Sequence, residues 1–182
     1  MSDQFRVVQT ERLLDSFVFN VERRTVDHDG HTFERDIVTH LGAVAILAIN
    51  DHDEVGFLRQ YRATFDRYDL EIPAGTLDVP GEDPLDAARR ELLEELGCEA
   101  EQWTLLGRFM VSPGWSDQLM TIYEARQLTQ RERRPMGPEE LTSTVLWLSK
   151  EALRSTLRDE GTLDATMVVA LHRVFGSFFD VD

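Results

Sequence analysis

Gly75-Thr-Leu-Asp-Val-Pro-Gly-Glu82, then Asp83-Pro-Leu-Asp-Ala-Ala-Arg89, then Arg90-Glu-Leu-Leu-Glu-Glu-Leu-Gly-Cys98 is the stretch on which the fold turns. Asp83 is an N-cap residue type, Pro84 suits the first helical position and Gly97 is a natural stop, so residues 83–97 read as a helix. At about 100° per residue, Leu85, Ala88, Leu92 and Leu96 share one stripe, which should face a core. Glu91, Glu94 and Glu95 fall on the adjoining stripe. Like charges at this spacing repel, at a cost of about 0.2–0.5 kcal/mol per pair when exposed. The cluster makes sense if it holds hard divalent cations, which prefer carboxylate oxygens. The plainer alternative is a solvated acidic face, paired locally by Arg89 and Arg90.

On its N-terminal side the chain reads as strands. Phe17 to Val26 alternates in part, Asp29-Gly30 is a strong hairpin pair, and Thr32 to Thr39 returns as a second strand. His28 and His31 flank the turn as exposed neighbours. The unbroken apolar run from Gly42 to Ile49 marks a strand buried on both faces. Glu54 to Tyr61 reads as the next strand. Beyond the glutamate helix, Trp103 to Val111, Gln118 to Ala125 and Thr144 to Leu148 read as strands, and Lys150 to Leu157 and Leu163 to Phe179 as helices. In the last of these Met167, Leu171, Val174, Phe175 and Phe178 recur at helical spacing as a core-facing stripe. Strands interrupted by single helices give an α+β or sandwich class.

The 182 residues suffice for one domain, with 42% apolar and 29% charged residues, an ordinary globular balance. A net charge of -15 argues against a basic surface for nucleic acid or anionic lipid. An acidic protein binds phosphates when divalent cations lie between the phosphates and its carboxylates. No apolar run has transmembrane length, and Met1 to Arg6 shows no secretory pattern. Cys98 is the only cysteine, so no intramolecular disulfide forms, which fits a reducing cytoplasm.

The quoted stretch resembles the Nudix box: Gly, five residues, Glu, seven residues, then Arg-Glu-apolar-any-Glu-Glu-any-Gly-apolar. Glu82, Arg90, Glu91, Leu92, Glu94, Glu95 and Gly97 match in register. A chance match of the fixed types is on the order of 10⁻⁵ across the chain. Six residues rather than five separate Gly75 from Glu82. The extra one falls in the loop before the helix, where insertions cost little. The resemblance implies an α/β/α sandwich around a mixed β-sheet, with residues 1–182 as one domain: N-terminal strands to 41, core from 42. It implies Glu91 and Glu95 as principal ligands of Mg²⁺ (or Mn²⁺), Glu94 assisting, and the Ala74 carbonyl coordinating. Arg90 would orient the glutamates and Glu82 would support the loop–helix corner.

Three flanking segments are similar to the ADP-ribose pyrophosphatase subfamily: Leu70-Glu71-Ile72-Pro73-Ala74-Gly75, Arg59-Gln60-Tyr61-Arg62 and Val111-Ser112-Pro113-Gly114. Pro113 lies 15 residues beyond Cys98, near that subfamily's marker proline. The likeness implies hydrolysis of the pyrophosphate of a nucleoside diphosphate sugar, ADP-ribose foremost. It gives Arg62 and Arg35 as phosphate contacts, since a planar guanidinium binds phosphate oxygens in pairs. Glu71 would meet the nucleoside or ribose. The general base would be a late-loop glutamate, Glu140 or Glu139, in Gly137-Pro138-Glu139-Glu140-Leu141 before the Thr144–Trp147 strand. The subfamily implies a homodimer that exchanges N-terminal strands. Other readings are a Nudix hydrolase of GDP-mannose, NADH or dinucleoside polyphosphates, and a non-catalytic nucleotide-sugar-binding Nudix domain.

Overall fold

The computed structural model describes residues 4–176. Phe178 and Phe179, the end of the expected last helix, lie outside the described residues. Strands β1 (Arg6–Asp15), β2 (Phe19–His28) and β3 (His31–His40) form an antiparallel sheet. His28 pairs with His31, and Asp29 and Gly30 between them both have positive φ, as a two-residue hairpin turn requires. The strand expected from Phe17 begins at Phe19, and Phe17 stands 86% exposed in the preceding turn. His28 is half-buried rather than exposed, because Phe5 stacks on its ring at 4.0 Å.

The remaining strands are β4 (Ala43–Ala48), β5 (Val55–Arg62), β6 (Arg67–Glu71), β7 (Ala74–Thr76), β8 (Cys98–Met110), β9 (Leu119–Gln130) and β10 (Thr144–Leu148). They make two sheets, β7-β4-β9-β8 and β10-β5-β6. The first is mixed: β4 runs parallel to β9 and antiparallel to β7. Helices α1 (Pro84–Glu91), α2 (Pro138–Leu141), α3 (Lys150–Asp159) and α4 (Ala165–Phe175) complete the fold.

β4 shows why its apolar run is unbroken. Val44, Ile46 and Ala48 pack with Ala87, Ala88, Leu92 and Leu96 from the glutamate helix, while Ala45, Leu47 and Ile49 pack with Leu153, Met167 and Leu171 from α3 and α4. Alternate side chains of one strand thus feed both layers of the sandwich. The N-terminal sheet is tied on through β3: Val38 N–H donates to the Trp115 carbonyl at 2.8 Å, and His40 N–H to Asp117 at 2.9 Å. The Ser112–Asp117 turn that carries exposed Pro113 therefore docks the N-terminal sheet on the core.

Candidate active site

The helix that carries the glutamates is not uniform. Asp83 caps it, accepting from Leu85 N–H at 2.9 Å, but the α-helix ends at Glu91 and Leu92–Leu96 form a π-turn closed by Gly97 at φ +65°. This corrects the single 83–97 helix read from the sequence. The π-turn needs no special residues, only a carbonyl bonded five residues on, and such turns recur at functional sites. Its apolar residues Leu92 and Leu96 are buried, which turns Glu91 and Glu95 inward against β7.

Glu91 is 6% and Glu95 3% exposed. Glu95 accepts from Ala74 N–H at 2.8 Å. A Cβ at Gly75 would stand 1.9 Å from the Glu91 carboxylate oxygen, so only glycine leaves room for that side chain. The close approach to Glu91 fits the role the resemblance gives Gly75, and the longer loop before the helix includes a turn in which Glu82 N–H reaches the Val79 carbonyl at 3.1 Å.

Arg90 carries the cluster's compensation. One guanidinium nitrogen donates to Glu91 at 2.7 Å and Glu94 at 3.1 Å, and the other two reach Glu82 at 3.3 and 3.2 Å. Asp78 stands 3.8 Å away. One cation thus faces four carboxylates, and among the described residues the hydrogen bond to Glu95 comes from the Ala74 N–H. Burial, opposed by Arg90 and reinforced by Glu94 and Glu140, pushes the Glu91 carboxyl up to about 7. Burial likewise holds Glu95 well above the usual carboxylate range, against the Ala74 N–H and with Glu91 and Glu140 adding to it.

Glu91, Glu94 and Arg90 line a cleft of about 270 Å³ with Ala74, Gly75 and Glu140, under an apolar lip of Phe17, Val18 and Met136, while Glu95 is buried beneath it, bonded to Ala74 N–H. Glu140 sits on α2, a helical turn where the sequence showed only a loop, and accepts from Met136 N–H at 2.6 Å. Glu139 is not among the cleft residues and bears electrostatically on Tyr61.

Arg62 and Glu71 lie in a second cavity, of about 680 Å³, bordered by His40, Phe65 and Asp164. They grip each other in a forked ion pair, Nε to carboxylate at 2.9 Å, which raises Arg62 above its usual value despite burial. Asp164, missed in the sequence although it precedes an apolar helix, caps α4 through Met167 N–H at 2.7 Å and is raised by burial. Arg35 joins neither cavity: it is exposed on β3, with its guanidinium 4.5 Å above the Phe33 ring. A third cleft, of about 590 Å³, lies between the glutamate helix and the β8–β9 edge and shares Arg90 and Glu94 with the first. Its Arg89 and Arg131 are already paired with Asp86 and Glu99, each at 2.8 Å.

Among the described residues no three Asp, Glu, His or Cys side chains are gathered as a ready-made metal cage. The donor set nonetheless fits a hard divalent ion that retains waters: desolvated carboxylates, a shortage of positive charge and a gap kept open by Gly75.

A NUDIX domain model matches residues 39–169. The chain belongs to the NUDIX family. ADP-ribose pyrophosphatase of Mycobacterium tuberculosis is 36% identical over 178 residues, covering 96% of this chain and 86% of that protein. The methanol dehydrogenase activator of Bacillus methanolicus is 32% identical, covering 91% and 90% respectively. Among solved structures, an ADP compounds hydrolase superposes with a TM-score of 0.80 at 26% identity, covering 94% of this chain and 92% of that one. The Nudix fold and its α+β sandwich are therefore as the box implied. Divalent metals serve this family generally. Among the described residues no helix is long and apolar enough to cross a membrane.

Proposed function

We propose that this Nudix hydrolase cleaves the pyrophosphate bond of a nucleoside diphosphate sugar, turning ADP-ribose into AMP and ribose 5-phosphate. The observation that carries it is the pair Glu91 and Glu95, buried beside Gly75 with too little positive charge to balance them. The likeness to an ADP-ribose pyrophosphatase over nearly the whole chain supports the substrate.

Mg²⁺, or Mn²⁺ in its place, held by Glu91, Glu95 and the Ala74 carbonyl with Glu94 assisting, would neutralise the diphosphate and activate a water for in-line attack. Arg90, anchored on Glu82, orients Glu91 and Glu94. Glu140 takes the proton of the attacking water. Its place in the glutamate cleft favours it over Glu139. Arg62 offers its fork to phosphate oxygens, and Glu71 beside it meets the ribose or nucleoside.

A second copy of the chain completes this picture. All ten residues of β1 are exposed, including Val7 at 54%, Val8 at 51% and Leu14 at 50%. Exposed apolar side chains of this kind on an edge strand call for a partner. We assign residues 1–41 to a homodimer interface around a single domain of 1–182, and Arg35 reaches substrate only across it. Buried, unpaired Cys98 accords with a cytoplasmic location.

The test is incubation with Mg²⁺ and a panel of nucleotide sugars, with products separated by chromatography. AMP and ribose 5-phosphate are expected from ADP-ribose, and Glu95→Gln should lose nearly all activity. Full activity in that variant, or none in the wild type on any diphosphate, refutes hydrolysis by this site. A fast rate on GDP-mannose alone rejects the substrate.

A further inference from the structure

Arg133 belongs to the run Arg131-Glu-Arg-Arg134, between β9 and α2. The structure separates its members. Arg131 and Arg134 line the third cleft, while Arg133 turns inward and is half-buried. Its terminal nitrogens donate to the Ser143 hydroxyl at 2.8 Å, the Glu140 carbonyl at 3.4 Å and the Ser143 carbonyl at 3.5 Å. Its Nε is the buried side-chain polar atom left without a partner among the described residues. Desolvating part of a guanidinium is costly, so the group is held there by what its other nitrogens grip.

What they grip is the C-terminal end of α2. The Glu140 carbonyl already accepts from the Ser143 N–H at 3.1 Å and the Ser143 hydroxyl at 2.8 Å, and Arg133 adds a cation to the same turn, which suits a helix C-terminus. The stem of Arg133 also rests on the end of the glutamate helix: a Cβ at Gly97 would stand 2.9 Å from its Cγ and 2.8 Å from the Arg131 carbonyl. Gly97 itself binds this segment, its carbonyl accepting from Gln130 Nε2 at 3.0 Å. One side chain therefore touches both the terminus of the metal-site helix and the helical turn that carries Glu140.

We propose that Arg133 is a positioning residue, which fixes α2 against the end of the glutamate helix and so sets where Glu140 stands over the cleft. This rests on the reading of Glu140 as the base. A base must sit within hydrogen-bond reach of the proton it takes. A displacement of about 1 Å can cost on the order of 10²-fold in rate. Among the described residues the hydrogen bonds of Arg133 go to Glu140 and Ser143, not to Glu91 or Glu95, and it does not line the cavity of Arg62, so its loss should spare metal and substrate binding.

The experiment is a double-mutant cycle with Arg133→Met, which keeps most of the stem, and Glu140→Gln. In Arg133→Met, kcat should fall about 10-fold or more, with KM and the Mg²⁺ dependence within about 2-fold of wild type. In the Glu140→Gln background, Arg133→Met should cost nothing further. Wild-type kcat in Arg133→Met, or an equal loss in both backgrounds, overturns the proposal. If Glu140→Gln alone keeps full activity, the base assignment is wrong, and hydrogen exchange then decides the positioning role. Faster exchange of the Thr142 and Ser143 amides in Arg133→Met upholds it, and unchanged exchange overturns it. Should Arg133→Met not fold, Ser143→Ala removes the shortest of the three bonds and should shift kcat and exchange in the same direction. No shift in either refutes the proposal.

Discussion

Raising the pH from 5 to 8 in a chelator should destabilise the wild-type protein more than Glu91→Gln. A carboxyl carried from the ordinary 4.5 to about 7 is one that the folded state binds a proton to more tightly than the unfolded state does. Its contribution is fully present below pH 4.5 and is lost as the pH rises through about 7. The loss is about 3 kcal/mol for Glu91 alone. In a chain of this size each kcal/mol moves Tm by roughly 2–4 °C, so the wild-type melting point should fall about 6–12 °C further than that of Glu91→Gln. Titrating groups remote from Glu91 are common to both proteins and cancel in the difference. Glu95 does not cancel: Glu91 helps to raise it, so it is raised less in the variant, which widens the difference in the same direction. Adding Mg²⁺ should restore the wild type most at pH 8, where ligands need not shed protons, and restore Glu91→Gln less. The assay is a thermal melt across pH, with and without Mg²⁺. Parallel Tm profiles for the two proteins in chelator would refute the claim that an unbalanced buried carboxylate stands at residue 91.

Gly75→Ala should drive the new methyl into Glu91, where the gap is 1.9 Å, lowering kcat about 10²-fold and stability by about 1–3 kcal/mol. Kinetics and a urea titration read both. Glu140→Gln should lose about 10²–10⁴-fold in kcat and Glu139→Gln less than about 2-fold, and a reversed order would move the base to Glu139. Val8→Asp with Leu14→Asp places charge on the exposed apolar strand and should yield monomers in sedimentation, whereas an unchanged association state would remove β1 from the interface.

The glutamate helix was legible because two independent patterns coincide there, an apolar stripe and a run of like charges that helix stability alone disfavours. The double burial of β4 was legible because both faces are filled with apolar residues. Other features were not. The π-turn at Leu92–Leu96 differs from an α-helix only in which carbonyl an N–H reaches, and no residue type announces that choice. β1 lacks a buried face, so it has no alternation to read. α2 is a single turn led in by Gly137-Pro138, which reads as a loop. The sequence favoured Arg62 over Arg35 as a phosphate contact but placed neither, and the structure sets Arg35 on the exposed surface of β3 and Arg62 against Glu71. Arg133 gave no signal, since an inward arginine in a basic run depends on contacts more distant than any local pattern.

Arg90 shows how the fold carries a site that is unfavourable by itself. Burying Leu92 and Leu96 contributes roughly 1.5–3 kcal/mol each, comparable with the cost of ionising Glu91 in its desolvated place. The apolar stripe can therefore hold the carboxylates together against their repulsion. Arg90 then divides its guanidinium: two nitrogens stay on Glu82, and the third is shared by Glu91 and Glu94. A divalent ion that took over those two carboxylates, as proposed above, would displace one nitrogen and leave the anchor on Glu82 intact. The Arg-Glu order at 90 and 91 and the distant Glu82 are thus parts of one device. Glu82 keeps the arginine in place whether or not the glutamates need it, which explains why a carboxylate outside the cluster belongs to the same pattern.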